Sequence, residues 1–132
     1  SGKTENKNKT KEMNMKRILV AEDNESNYVL MTYVLRNRYE VVRASNGKEA
    51  VELSDQQQFD LIMMDMKMPV MDGLEATRLI KEKHPDLPII ALTANAFETD
   101  RQATFEAGCC DFMSKPFSRE KCLETIAKYI GE

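Results

Sequence analysis

This 132-residue sequence predicts an α/β fold: a doubly wound, five-stranded parallel sheet with five helices. Three observations lead there. Short apolar, β-branched runs alternate with longer stretches whose apolar residues recur at helical spacing. Turn and cap residues stand between them. The first, third and fourth runs are almost continuously apolar, as strands are when helices cover both faces of a sheet.

The elements follow in chain order. RILVA (17–21) reads as the first strand. Residues 25–37 form a helix in which Leu30 with Val34 and Met31 with Leu35 make an i,i+4 stripe. YEVVRA (39–44) is the second strand, and NGKEAVELSDQQ (46–57) a helix with Ala50, Val51 and Leu53 facing inward. DLIMM (60–64) is the third strand. DGLEATRLIKEK (72–83) is a helix with Asp72 as N-cap. LPIIAL (87–92) is the fourth strand, punctuated by Pro85 and Pro88. FETDRQATFEAG (97–108) is a helix closed by Gly108, CDFMS (110–114) the fifth strand, and SREKCLETIAKYI (118–130) the last helix. Ser118 is its N-cap, with Leu123, Ile126, Ala127 and Ile130 on one face. Residues 1–15 are polar, rich in Lys and Asn, and without period, so the expected division is a linker or cloning leader over 1–15 and one folded domain over 16–132.

Composition narrows the function. The net charge of −3 suggests no nucleic-acid partner. The charge is uneven: residues 1–17 hold six basic and two acidic side chains, +4, which leaves −7 on the remainder. A basic arm would suit an acidic partner or serve as a solvated tether. An acidic domain attracts cations. No apolar run approaches the length of a membrane span, so no membrane contact is expected of this domain. Cys109, Cys110 and Cys122 have neither disulfide nor zinc spacing and read as reduced, inert thiols of a cytoplasmic protein. His84 reads as a loop residue, and Met63, Met64, Met66, Met68 and Met71 as core filling.

In a doubly wound sheet, ligands bind outside the carboxyl ends of the strands. Glu22 and Asp23 end the first strand, Asp65 the third, Thr93 the fourth, and Ser114-Lys115-Pro116 the fifth. Three acids, a hydroxyl and an ammonium thus meet on one edge. Mg²⁺ takes oxygen ligands, so Asp23 and Asp65 are the candidate direct ligands, Glu22 a ligand through water, and the Lys67 carbonyl a completing group. Asp65 then suits a carboxylate nucleophile attacking phosphorus. Lys115 and Thr93 suit the neutralisation of charge on a transferring phosphoryl group. Each residue taken singly has a plainer reading: a loop cap for Asp65, a strand-end hydroxyl for Thr93, a turn into the last helix for Lys115-Pro116, and a helix-dipole pair for Glu22-Asp23.

VAEDN (20–24), MMDMKMPVMDG (63–73), IIALTANA (89–96) and DFMSKPF (111–117), in this order and each at a strand end, resemble the receiver domains of two-component response regulators. The resemblance spans Lys16 to Gly131. It implies a flavodoxin-like sheet of order 2-1-3-4-5. It implies that Asp65 accepts a phosphoryl group, with Mg²⁺, from a phosphohistidine on a histidine kinase or histidine phosphotransfer domain. Glu22 and Asp23 would be the acidic pair around the metal, Thr93 and Lys115 the phosphate contacts, Thr93 and Phe112 the switch, and Lys115–Pro116 a cis bond. Phe112 stands where the family often has tyrosine, so a phenolic hydrogen bond is absent. Lys67 and Asn95 would bear on the lifetime of the acyl phosphate, and the small Ala94 leaves the approach open. Output, or a dimer contact, would form at the face of the fourth helix, fifth strand and fifth helix, bordered by Phe97, Phe105 and Phe117. Catalysis would be limited to self-phosphorylation and autodephosphorylation. Asn27 and the EDN opening resemble receivers fused to hybrid histidine kinases, so the expectation is either a single-domain regulator or a piece of a larger protein, such as a hybrid kinase, with the domain cytoplasmic even where the parent is membrane-anchored.

Other classes make distinguishable demands. A phosphatase of the haloacid-dehalogenase type needs an aspartate two residues past the nucleophile, where this chain has Lys67. A flavodoxin-like cofactor binder needs a Ser/Thr/Gly-rich loop after the first strand, where EDNESN stands. A pseudo-receiver that only binds partners has no need of the full set of acids, hydroxyl and lysine.

Overall fold

The computed structural model describes residues 15–94 and 101–131. The leader expected over 1–15 lies outside them except for Met15, as do Asn95, Phe97 and the expected start of the fourth helix. Strands and helices alternate: β1 Arg17–Ala21, α1 Glu25–Leu35, β2 Glu40–Ala44, α2 Gly47–Gln56, β3 Leu61–Asp65, α3 Gly73–Lys83, β4 Ile89–Thr93, α4 Arg101–Ala107, β5 Asp111–Ser114 and α5 Arg119–Ile130. All pairings are parallel and the order is β2-β1-β3-β4-β5, the doubly wound arrangement expected. Apart from the start of α4, boundaries differ from the sequence expectations by a residue or two, as helix and strand ends do.

The three central strands, β1, β3 and β4, are buried on both faces, with successive side chains pointing to opposite sides. Ile18 and Val20 of β1, Leu61 and Met63 of β3, and Ile90 and Leu92 of β4 pack with Met31 and Leu35 of α1 and Cys122 and Ile126 of α5. Leu19 and Ala21, Ile62 and Met64, and Ile89 and Ala91 pack with Ala50 of α2 and Ala76 and Ile80 of α3. One sheet therefore supports two cores. The stripe expected on α1 is only half inside: Met31 and Leu35 are buried, whereas Leu30 is 65% exposed. A helix lying on one side of a sheet buries a single stripe, and Met31/Leu35 occupies it.

Caps close the helices as their residue types dictate. Asn24, Asn46, Asp72 and Ser118 each accept from the backbone N–H three residues on. Two glycines fix the loop after β3. A Cβ on Gly47 would lie 2.2 Å from the Met71 carbonyl oxygen, to which the Gly47 N–H donates at 3.1 Å. A Cβ on Gly73 would lie 2.3 Å from the Asp65 carbonyl oxygen. The Met66–Asp72 loop is thus clamped between the starts of α2 and α3, directly beyond the end of β3. Within it Val70 holds φ +69 while 77% exposed, an uncommon conformation for a β-branched residue.

Candidate functional site

Strand register brings the predicted side chains together. Ala21 pairs with Met64, Asp65 with Leu92, and Thr93 with Ser114, so the four strand ends are level. The residues that follow β1 and β5 enter the space above Asp65. One carboxylate oxygen each from Glu22, Asp23 and Asp65 lies within 4.8 Å of the others. Glu22 is 2% and Asp65 7% exposed, whereas Asp23 is open to solvent. Lys115 Nζ donates to Glu22 Oε1 at 2.6 Å and stands 3.7 Å from Asp65 Oδ2. Lys115 is carried there by the end of β5, where its N–H donates to the Thr93 carbonyl at 2.7 Å. The Lys115–Pro116 peptide is cis, as the resemblance implies.

The electrostatics follow from two buried carboxyls beside one ammonium. Burial, and then the neighbouring Glu22, push Asp65 up to about 7, against the pull of Lys115 and of the Lys67 N–H that donates to Asp65 Oδ1 at 3.3 Å. Burial also works against charge on Glu22, but hydrogen bonds with Asp65 and Lys115 outweigh it and hold that carboxyl below its usual range. One lysine does not neutralise the group. An all-oxygen set short of positive charge fits a hard divalent cation such as Mg²⁺. Thr93 adds a second signal: its Oγ1 is buried and has no hydrogen-bond partner among the described residues. Such a hydroxyl is a donor waiting for an acceptor.

Phe112 lies apart from this cluster, on the α2–α3 side of the sheet. Its ring meets Phe105 edge to face, with centroids 6.2 Å apart, and Arg101 stacks over it at 4.7 Å. Phe105, on α4, is 45% exposed, whereas Phe117, just after β5, is half-buried and packs on the core shared by α1 and α5. Ala94 lines, with Glu22 and Lys115, a cleft of about 600 Å³ between α1 and the β5–α5 loop. Asn27 lines it too.

Sequence reasoning missed two supports. Asn24, and not the acidic pair, caps α1, and its own N–H donates to Glu22 Oε2 at 3.3 Å. Arg43 reaches across from β2 to the carbonyls of Glu22 and Asp23. The Asn24 cap was open to detection, since Asn precedes the helical run. Arg43 carries no local signal, because its role depends on the register of β2 against β1.

Known proteins resemble this chain over most of its length. Residues 18–127 match the family described as the response regulator receiver domain. The polar-differentiation response regulator DivK of Brucella anthropi is 37% identical over 120 residues, 89% of this chain and 98% of that protein. The receiver domain of a sensor histidine kinase from Pseudomonas aeruginosa PAO1 superposes with a TM-score of 0.83 at 39% identity, covering 89% of this chain and 99% of that one. That receiver was crystallised with a magnesium ion coordinated in its active-site cleft. The receiver domain of the Saccharomyces cerevisiae response regulator Ssk1, solved with the histidine phosphotransfer protein Ypd1, has a TM-score of 0.80 at 27% identity over 87% of this chain and 88% of that one.

Proposed function

The chain belongs to the response regulator receiver domain family, and from that premise we propose that Asp65 is the acceptor of a phosphoryl group in a two-component pathway. The observation that carries the reading is the meeting of Lys115 Nζ, 3.7 Å from Asp65, with the Glu22–Asp23–Asp65 carboxylates at one edge of the sheet.

Asp65 Oδ attacks the phosphorus of a phosphohistidine. The O–P bond forms as the P–N bond breaks, and the bonding pair leaves with the imidazole, which takes up a proton. Little covalent work falls to the protein; it positions the groups and offsets charge. Asp23 and Asp65, the Lys67 carbonyl, and Glu22 through water would hold a divalent cation, and Mg²⁺ there would supply neutralisation of charge on the phosphoryl oxygens. Lys115 turns from Glu22 toward the phosphoryl group, a short movement for a flexible ammonium. The Thr93 hydroxyl, without a partner among the described residues, donates to a phosphoryl oxygen. Its departure from the strand end opens room that Phe112 can fill, which changes the α4–β5–α5 face read by a fused domain, a partner or a second copy.

The phosphodonor is a histidine kinase or a histidine phosphotransfer domain, in line with the Ssk1 receiver having been solved with Ypd1. Incubation with acetyl phosphate and Mg²⁺ tests the assignment. The wild type gains a hydroxylamine-labile phosphoryl group and Asp65→Asn gains none. Equal incorporation in the variant would sink it.

A further inference from the structure

We infer that Arg43 is a positioning residue for the Glu22–Asp23 turn, acting through the backbone to hold Asp23 where a divalent cation binds. This rests on the metal-site reading above.

Arg43 is the fourth residue of β2 and pairs with Val20 of β1, so it stands beside the last turn-ward residues of β1. The Glu22 N–H donates to the Ala44 carbonyl at 3.0 Å, so β2 accompanies β1 as far as the acidic pair. From there the guanidinium reaches over. Arg43 Nε and Nη2 donate to the Glu22 carbonyl at 3.3 and 3.2 Å, and Nη2 to the Asp23 carbonyl at 3.4 Å. The same guanidinium lies over the Tyr28 ring of α1, 4.8 Å from its centroid. Tyr28 packs in turn on the core between α1 and α5.

Each of these bonds is long, so none holds the turn by itself. Together with the stacked ring they fix two consecutive carbonyls against β2 on one side and α1 on the other. The arrangement matters most for Asp23. Glu22 has Lys115 and the Asn24 N–H to hold its carboxylate. No hydrogen bond or ion pair holds the Asp23 carboxylate among the described residues, and it is exposed. Its place therefore depends on its backbone, and that backbone is what Arg43 grips. A planar guanidinium with several donors can serve two adjacent carbonyls while lying flat on a ring, a geometry that a compact ammonium matches only in part. Groups that orient metal ligands change affinity without touching the metal, typically by about tenfold or more.

The test measures Mg²⁺ affinity of the full chain by amide chemical shifts of Glu22 and Asp23. Arg43→Ala is expected to weaken Mg²⁺ binding about tenfold and to raise the Mg²⁺ concentration for half-maximal phosphorylation alike. The rate at saturating Mg²⁺ stays near that of the wild type. Arg43→Lys recovers part of the loss. Arg17→Ala, at the opposite end of β1, lowers the melting temperature and leaves Mg²⁺ affinity alone, which separates positioning from general loosening. Wild-type affinity in Arg43→Ala, or an equal loss of affinity in Arg17→Ala, overturns the inference. If the wild type itself binds no Mg²⁺, the metal-site reading falls and this inference with it. If the wild type binds and is phosphorylated and Arg43→Ala matches it, only the role of Arg43 falls.

Discussion

At the amino edge of the sheet, Arg17 donates to Glu40 at 3.0 Å, to the Gln58 carbonyl at 2.8 Å and to Gln57 at 2.7 Å, and it stacks over Phe59. Its own N–H meets Asp60 at 2.8 Å. Nearby, Asp55 accepts from Lys83 at 3.0 Å and pairs with His84 at 3.1 Å, while Lys81 Nζ donates to the Pro85 and Leu87 carbonyls. At the carboxyl edge, built from the same strands, two buried carboxyls share one lysine, Thr93 has no partner among the described residues, and β-branched Val70 lies in the left-handed region that at the amino edge is taken by Asn37, a residue type that tolerates it. One end satisfies its polar groups; the other leaves them open. The difference points to where function resides, because an unsatisfied buried group is costly and calls for something to complete it.

The largest stability effect expected from this contrast is at Asp65. Its carboxyl is pushed up to about 7, so the folded state keeps a proton there that the unfolded chain has already released. Stability is therefore lost as pH rises from the ordinary carboxyl range through 7, and stays low above it. Asp65→Asn is expected to stabilise the cation-free protein by about 2 kcal/mol at pH 8, roughly half of what ~1.4 kcal/mol per pKa unit would give. The gain vanishes near pH 4, and Mg²⁺ reduces it by stabilising only the wild type. Urea denaturation across that pH range, with and without Mg²⁺, checks this. A variant less stable than the wild type at pH 8 would break the comparison.

A smaller effect is expected at Val70. Val70→Gly removes a left-handed β-branched residue but adds chain entropy to the unfolded state, for a net gain of about 0.5 kcal/mol. Thermal unfolding reads it, and a loss of stability would mean that the Val70 side chain has packing worth more than its backbone costs. The smallest effect belongs to the amino edge. Asp55→Asn removes an exposed ion pair, held low by His84 and Lys83, and solvent screens such pairs. Melting temperature is expected to move little, and not at all in high salt. A change as large as that at Asp65 would erase the distinction between the edges.

Much of this molecule was legible in the sequence. Val20–Asn24, Met63–Gly73, Ile89–Ala94 and Asp111–Phe117 mark strand ends by apolar runs that stop at a polar residue, and the structure places their carboxylates, hydroxyl and lysine on one edge. The N-caps at Asp72 and Ser118 were visible because capping needs one short polar side chain at a fixed offset. The exposure of Leu30 was not, because the periodicity of α1 permits two stripes and only the sheet beneath decides between them. Nor was Val70: nothing in MPVMDG announces a positive φ, in a loop whose ends meet Gly47 and Gly73.

What the sequence determined by itself is therefore local: strand and helix identity, their alternation, and which residue types end each strand. Those depend on periods of two and 3.6 residues and on caps a few residues apart. Tertiary structure decided which carboxylate takes the lysine, which hydroxyl is left without a partner among the described residues, and that Arg43 reaches the Glu22–Asp23 turn. Residues 21 positions apart, as Arg43 and Glu22 are, meet only once β2 has found its register on β1. The sheet sets that register as a whole, because shifting one strand by a single residue would turn every apolar side chain on it to the wrong core.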